Sequence, residues 1–418
     1  MTTTPGLLTR INQAAGGLAA DLALYTLSAI FALVTALTST LLPHRAWGAI
    51  AAVGYLVAAL VVAVQLVLRK PVRRATLTWA TWAAVTLLPL VVQAVQRAAG
   101  RTDRAQEEVL VVEHMGESLL HTGTPYLSRP EIAGIALDER LLGYRPYQPG
   151  MALFGLPRAI AGDHWWTDSR VWFALATVGA LVVAVTVLLR VRGTDFSLVR
   201  ALQAATVLPV TSLTLATGGD DIPVLALCLL ALALFAAGRH TASGLAVGAA
   251  AACKLLAFPV VAVLLVLAVA TGHWRRFLPG ALGLPLLALL PPLLVNADAL
   301  IENVLRFPLG HGLVTSPAQS PFPGHLIAQF LPGGRYLAAG LLVAAAAVIG
   351  LLLLRRPPRD AGTAALFCGY GLLAAILLMP TTRFGYLLYP AAFLVWAYAL
   401  RNHTASSAPR HDTALYRQ

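Results

Sequence analysis

Charge is scarce in this chain. Asp, Glu, Lys and Arg make up 11% of its 418 residues, 58% are hydrophobic, and the mean hydropathy is +0.75. A soluble domain needs a charged surface, so this shortage excludes one and points to a polytopic membrane protein. Lysine is confined to Lys70 and Lys254, and a Lys-poor, Ala- and Arg-rich chain fits a GC-rich bacterial genome. The three cysteines, Cys228, Cys253 and Cys368, lie in apolar segments without CxxC spacing, which argues against a disulfide framework and a zinc site. There is no GxGxxG fingerprint and no P-loop. An enzyme of this shape without a nucleotide site is expected to take its activated group from a lipid carrier. The net charge of +12 sits on arginines in short clusters between apolar runs, without basic helices or aromatic RNA-binding signatures, so nucleic acid is not an expected partner. Residues 1–17 contain Arg10 and lack the apolar core and cleavage site of a secretory signal, so the first span is expected to be retained.

What is present is a series of apolar runs long enough to cross about 30 Å of hydrocarbon. They lie near 18–42, 47–68, 76–96, 171–189, 199–217, 222–238, 277–296, 334–354, 362–380 and 384–400. The segment 241–271, broken at Lys254 and Pro259, reads as a tight helical hairpin or two short helices. The fold class expected is therefore an all-α bundle of about 11 to 12 transmembrane helices forming one domain over 1–418. Alternate gaps are basic: Arg69, Lys70, Arg73 and Arg74; Arg190, Arg192 and Arg200; Arg239; Arg275 and Arg276; Arg355, Arg356 and Arg359; Arg401 and Arg410. The positive-inside rule makes these cytoplasmic. The long loops 97–170 and 297–333 and the turn Gly218-Gly219-Asp220-Asp221 then share the outer side, provided that 241–271 enters and returns.

The first long loop carries the polar and aromatic residues that the spans lack. Ala105 to His121 plots as an amphipathic helix, with Ala105, Val109, Val112, Gly116 and Leu119 on one stripe. Gln106, Glu107, Glu113, His114 and Glu117 fall largely opposite, so the helix is expected to lie in the membrane interface. Glu108 breaks the pattern, because at about 100° per residue it projects onto the apolar flank between Val112 and Met115. A carboxylate without a partner is costly there, although a helix-start acid is also favoured by the dipole. The Tyr- and Pro-rich turns that follow, with Tyr126, Tyr144 and Tyr147, read as an active-site cap over the membrane body.

Asp220 and Asp221 follow two glycines at the end of one span, where either one serves as a helix cap or as a functional acid. Lys254 lies within an apolar stretch. There an ionisable group marks a functional site unless it snorkels to an interface along its own stem. Arg383, followed by Tyr386 and Tyr389, occupies a short outer gap, either as an anchor for its span or as a bidentate phosphate ligand. The second loop adds Arg306, His311 and His325. No metal is expected, since the acidic pair supplies too few oxygens.

These residues together resemble a known family. The order is a multi-span start, an acid early in the first large outer loop, the run Leu119-Leu120-His121-Thr122-Gly123-Thr124-Pro125-Tyr126, and Tyr144-Arg145-Pro146-Tyr147-Gln148-Pro149. It resembles the polytopic GT-C glycosyltransferases, and within them family 87, which includes the actinobacterial polyprenyl-phosphate-mannose-dependent mannosyltransferases. Further along, Gly218 to Pro223, the run into Lys254, Phe307 to Gly324 and Arg383 to Pro390 extend the likeness over most of the chain. The resemblance implies transfer of a hexose, mannose first, from a polyprenyl-phosphate donor to an envelope glycolipid or polysaccharide acceptor, with inversion, on the outer face of a bacterial plasma membrane. The family's base is an aspartate early in this loop. Counting back from Gly123 and Leu119-Leu120 puts Glu108 at its position, with Glu107 and then Asp220 as alternatives. Lys254, Arg383, Arg306 and one of His311 or His325 would meet the phosphate, and no cofactor is implied. The alternative class is a polytopic transporter of a lipid or small solute. That reading expects ionisable and helix-breaking residues near the midplane of repeated halves, which this chain does not display.

Overall fold

The computed structural model describes residues 14–69, 73–192 and 196–401; Arg10, Lys70 and Arg410 lie outside the described residues. Eight helices among these residues are long and apolar enough to cross a membrane. Three shorter apolar helices, Asp221–Ala236, Leu255–Ala270 and Phe384–Leu400, complete a polytopic helical bundle. In chain order the elements used below are α1 (Leu18–Thr38), α2 (Leu42–Leu68), α3 (Arg74–Ala98), α4 (Glu107–Thr122), α5 (Ser169–Arg192), α6 (Phe196–Thr206) and α7 (Pro209–Thr217). They continue with α8 (Asp221–Ala236), α9 (His240–Cys253), α10 (Phe258–Ala270), α11 (Trp274–Ile301), α12 (Pro323–Phe330), α13 (Gly334–Arg355), α14 (Ala361–Leu378) and α15 (Leu388–Leu400). Large apolar side chains on the outside of α1, α2, α11 and α13 are exposed, as expected where lipid rather than protein is the neighbour.

One expected span carries a break, and the segment 241–271 forms the expected hairpin of two short helices. The span 199–217 is interrupted at Pro209, which has no N–H to continue the helix, with Leu208 extended before it. The carbonyls this break frees are recovered by side chains: the Tyr55 hydroxyl donates to Val207 O at 2.7 Å and the Thr211 hydroxyl to Ala204 O at 3.0 Å. Inside a bilayer such recovery is obligatory. The segment 241–271 resolves into α9 and α10 with Lys254 in extended backbone between them. His240, at the start of α9, stacks on His273, just past α10, with ring centroids 3.8 Å apart. The two helices therefore leave and return to one level, which is a hairpin with Lys254 at its tip.

The first loop is folded rather than extended. Helix α4 buries Val109, Val112 and Met115 against the segment Pro149–Phe154 and the short helix Leu156–Ala161. The contact is backbone on backbone: a Cβ on Gly116 would stand 2.3 Å from Gly155 C, and one on Gly155 would stand 2.1 Å from Val112 O. Neither clash can be relieved by a rotamer. Gly116→Ala and Gly155→Ala should each lower stability by about 1–3 kcal/mol or more. Gly179→Ala, inside α5 with open space around it, should be neutral or stabilising. Thermal unfolding of the three purified variants checks this.

Glu113 departs from the expectation of a polar outer face and is buried. Arg97 at the end of α3 draws it in, with Nη2 2.6 Å from Glu113 Oε2 and Nη1 3.0 Å from Asp168 Oδ2. Arg158 also reaches Glu113, at 3.2 Å, and the fully buried Arg170 holds Asp168 at 2.7 Å. Burial opposes the charge on Asp168, but Arg170 and Arg97 outweigh it and hold the carboxyl well below the usual range. This network ties α3, α4 and α5 together beneath the first turn of α4. Its signal in the sequence was the close pair Asp168 and Arg170 at a span start, which the span pattern alone did not single out.

Candidate active site

Four segments converge above the bundle. The first turn of α4 supplies Glu107 and Glu108, the α7–α8 turn supplies Asp220 and Asp221, the α9–α10 tip supplies Lys254, and the stretch before α15 supplies Arg383 and Tyr386. Main-chain bonds set their spacing. Gln106 N donates to Thr217 O at 3.2 Å, which fixes the start of α4 on the end of α7. Gln148 N donates to Cys253 O at 3.1 Å, which brings Tyr147 over Lys254. The turn itself depends on Gly218, whose φ of +113° favours glycine and whose Cβ would stand 2.0 Å from Val109.

At the centre, Lys254 Nζ lies 2.8 Å from Asp220 Oδ1 and 2.6 Å from Asp221 Oδ1. The Tyr147 and Tyr386 rings flank the ammonium at 5.3 and 5.6 Å. The Tyr389 hydroxyl donates to Asp221 Oδ1 at 2.9 Å. All three charges are buried. Burial pushes the Asp220 carboxyl upward and Asp221 adds to that push, while Lys254 pulls it back. The other Asp220 oxygen, Oδ2, is buried without a hydrogen-bond partner among the described residues.

Toward solvent, Glu108 pairs with Arg383 Nη1. This corrects the expectation of a partnerless carboxylate. Glu108 is on the flank the helix projection gave it, and a cation 275 positions along the chain meets it there. The Arg383 side chain is 38% exposed and that of Glu108 15%, so the pair is open to an incoming ligand whereas the Lys254 cluster is closed. Glu107, the alternative, is exposed.

The loop 297–333 serves this pair indirectly. Thr382 N donates to Ala318 O, Ser320 N to Thr382 O and Phe384 N to Ser320 Oγ, each at 2.9 Å, in a short parallel bridge that carries Arg383. His325, expected at the phosphate, donates through Nδ1 to Pro380 O at 3.0 Å and so braces the same stretch. Arg306 is engaged by Asp298 at 2.9 Å and Glu302 at 3.4 Å, outside the cluster. His311 contributes a carbonyl that accepts from Arg129 at 3.0 Å. Tyr144 donates to the buried Glu302 at 3.0 Å and stacks on Phe307, while Tyr126 donates to Tyr147 O at 2.7 Å. These five residues position the cap rather than join Glu108 and Lys254.

One neighbour has no motif in the sequence. His44 Nε2 lies 2.5 Å from Gln106 Nε2, and Gln106 Oε1 accepts from the Thr217 hydroxyl at 3.1 Å. Only the fold brings this residue, at the start of α2, beside the first turn of α4.

A profile of glycosyltransferase family 87 matches residues 146–380, more than half of the chain. Among solved structures, ArnT from Cupriavidus metallidurans in the apo state is 18% identical over 76% of this chain and 58% of that one, with a TM-score of 0.45. ArnT from Cupriavidus metallidurans bound to undecaprenyl phosphate gives 16% identity, 76% and 59% coverage and a TM-score of 0.45. The chain thus spans less than two thirds of that protein's length. No curated protein matches the sequence.

Proposed function

The chain belongs to glycosyltransferase family 87, and from that premise we propose that it transfers a hexose, mannose first, from a polyprenyl-phosphate donor to an envelope glycolipid or polysaccharide on the outer face of a bacterial plasma membrane. The observation that carries this reading is the Glu108–Arg383 pair, a carboxylate and a half-open guanidinium on one rim. The acceptor oxygen attacks the anomeric carbon while Glu108 takes its proton, and the bond from that carbon to the phosphate oxygen breaks. The electron pair leaves with the polyprenyl phosphate, whose added charge Arg383 meets bidentately. A single displacement inverts the configuration. In the resting state Arg383 occupies Glu108, so arrival of the donor phosphate transfers the guanidinium to the phosphate and releases the base. Lys254, already matched by two aspartates, sets the floor under this exchange and fixes Tyr147 and Tyr386.

The test uses purified protein, labelled polyprenyl-phosphate-mannose and envelope glycolipid extracts. A larger labelled lipid product supports the reading, while movement of label across a vesicle membrane without a new product supports the transporter instead. Arg383→Gln should raise the donor KM by about tenfold or more, from loss of a charge-assisted contact, and unchanged donor affinity would remove Arg383 from the phosphate site. For sidedness, single cysteines in 97–170 and 297–333, in a background without the native three, should react with a membrane-impermeant thiol reagent in intact cells, and one at Arg74 should not. The opposite labelling would place this site in the cytoplasm.

A further inference from the structure

At the far end of the α9–α10 hairpin from Lys254, positive groups gather with no acid among them. A cleft of about 270 Å³ is lined by Gly272, His273, Arg275 and Arg276. Arg275 and Arg276 are exposed, with Arg275 lying over the Trp274 ring at 5.5 Å. Neither has a carboxylate within 4.0 Å among the described residues. His240 packs its ring on His273 at 3.8 Å. It is 9% exposed, and the Nδ1 atoms of both histidines are buried without a partner. The cleft also sits at the start of the 28-residue α11, where His273 is the N-cap. Arg276 N and Phe277 N donate to His273 O at 3.1 and 3.3 Å, and a helix gives the N–H groups before them no intrahelical acceptor. The helix dipole and the two guanidiniums thus favour an anion, and His273 lines the cleft beside them.

We propose that this cleft binds a phosphate group, carried by a phospholipid headgroup or free in solution, at the opposite end of the bundle from Glu108. The planar guanidiniums suit phosphate oxygens, the exposed Trp274 suits the headgroup level of a bilayer, and the cleft is too small for a large solute.

Native mass spectrometry of the full chain in detergent tests the assignment with three probes: phosphatidylglycerol, phosphatidylcholine and inorganic phosphate. Phosphatidylglycerol retention that phosphate does not displace assigns the lipid headgroup, and phosphate binding without a lipid preference assigns the free anion. In either case R275Q/R276Q should weaken retention by about tenfold or more. R355Q/R356Q, which removes two exposed arginines at the end of α13, should leave it unchanged. His273→Gln, a single substitution, should act in the same direction as R275Q/R276Q. Equal weakening by both double variants, or no retention of either anionic probe above phosphatidylcholine, overturns the proposal.

Discussion

Glu108→Gln should lower turnover by on the order of 10²-fold or more while the amount of folded protein in the membrane stays close to that of the parent. The amide keeps the size of the carboxylate and its place on α4 but cannot accept the acceptor's proton. Glu108→Asp should retain part of the activity, because it keeps an acid one methylene shorter within reach of Arg383. Glu107→Gln should change little, since Glu107 is exposed and has no ion-pair partner among the described residues. The measurement is single-turnover transfer from labelled polyprenyl-phosphate-mannose, with donor binding followed separately. If Glu107→Gln abolishes turnover and Glu108→Gln does not, the family base sits one residue earlier. If the double variant transfers sugar normally, the base is elsewhere, and Asp220 with its unpartnered Oδ2 is the next residue to replace.

Lys254→Met should strongly destabilise the fold and lower the amount of folded protein recovered. It leaves Asp220 and Asp221 facing each other in a buried site, and breaking a buried ion pair costs about 3–5 kcal/mol against a typical total of about 5–15 kcal/mol. A triple variant carrying Lys254→Met, Asp220→Asn and Asp221→Asn has no uncompensated charge and should regain folded protein without regaining activity. Thermal unfolding and the monodisperse fraction in detergent read both effects. Were Lys254→Met to fold like the parent yet lose donor affinity, the ammonium would be a direct phosphate ligand and not the floor of the site.

The parts of this structure written in one dimension were readable without it. Apolar run length located the spans, and the break at Lys254 and Pro259 announced the hairpin. The projection of α4 placed Glu108 off its polar face. What the sequence does not carry is pairing across distance. Nothing near Glu108 names Arg383 as its counter-ion, and nothing near Lys254 shows that its charge is already spent on Asp220 and Asp221. Glu113 plotted as a surface acid because periodicity does not see Arg97 arriving from another helix. His311 and Tyr144 looked available because their partners, Arg129 and Glu302, lie far away in the chain, whereas the partners of Arg306, Asp298 and Glu302, were eight and four residues away and could have been read from the sequence. Gly116 and Gly155 carry no chemical signature at all, and their role exists only where two backbones touch.

The length of the hairpin determines how deep a substrate must travel. Helices α9 and α10 have 14 and 13 residues, a rise of about 20 Å each, whereas the hydrocarbon is about 30 Å thick. With the histidine end at one boundary of the bilayer, the Lys254 tip stops roughly 10 Å short of the other. On that placement Lys254, Asp220 and Asp221 would form the bottom of a well sunk into the leaflet. A donor whose phosphate rides on a lipid tail reaches such a well sideways, from within the membrane, while a water-borne sugar would have to shed its hydration to descend. On the proposed function, an acceptor hydroxyl would enter such a well only if its own chain lowered it from above, so the depth of this floor would favour long, flexible or lipid-anchored acceptors before any side chain recognised them.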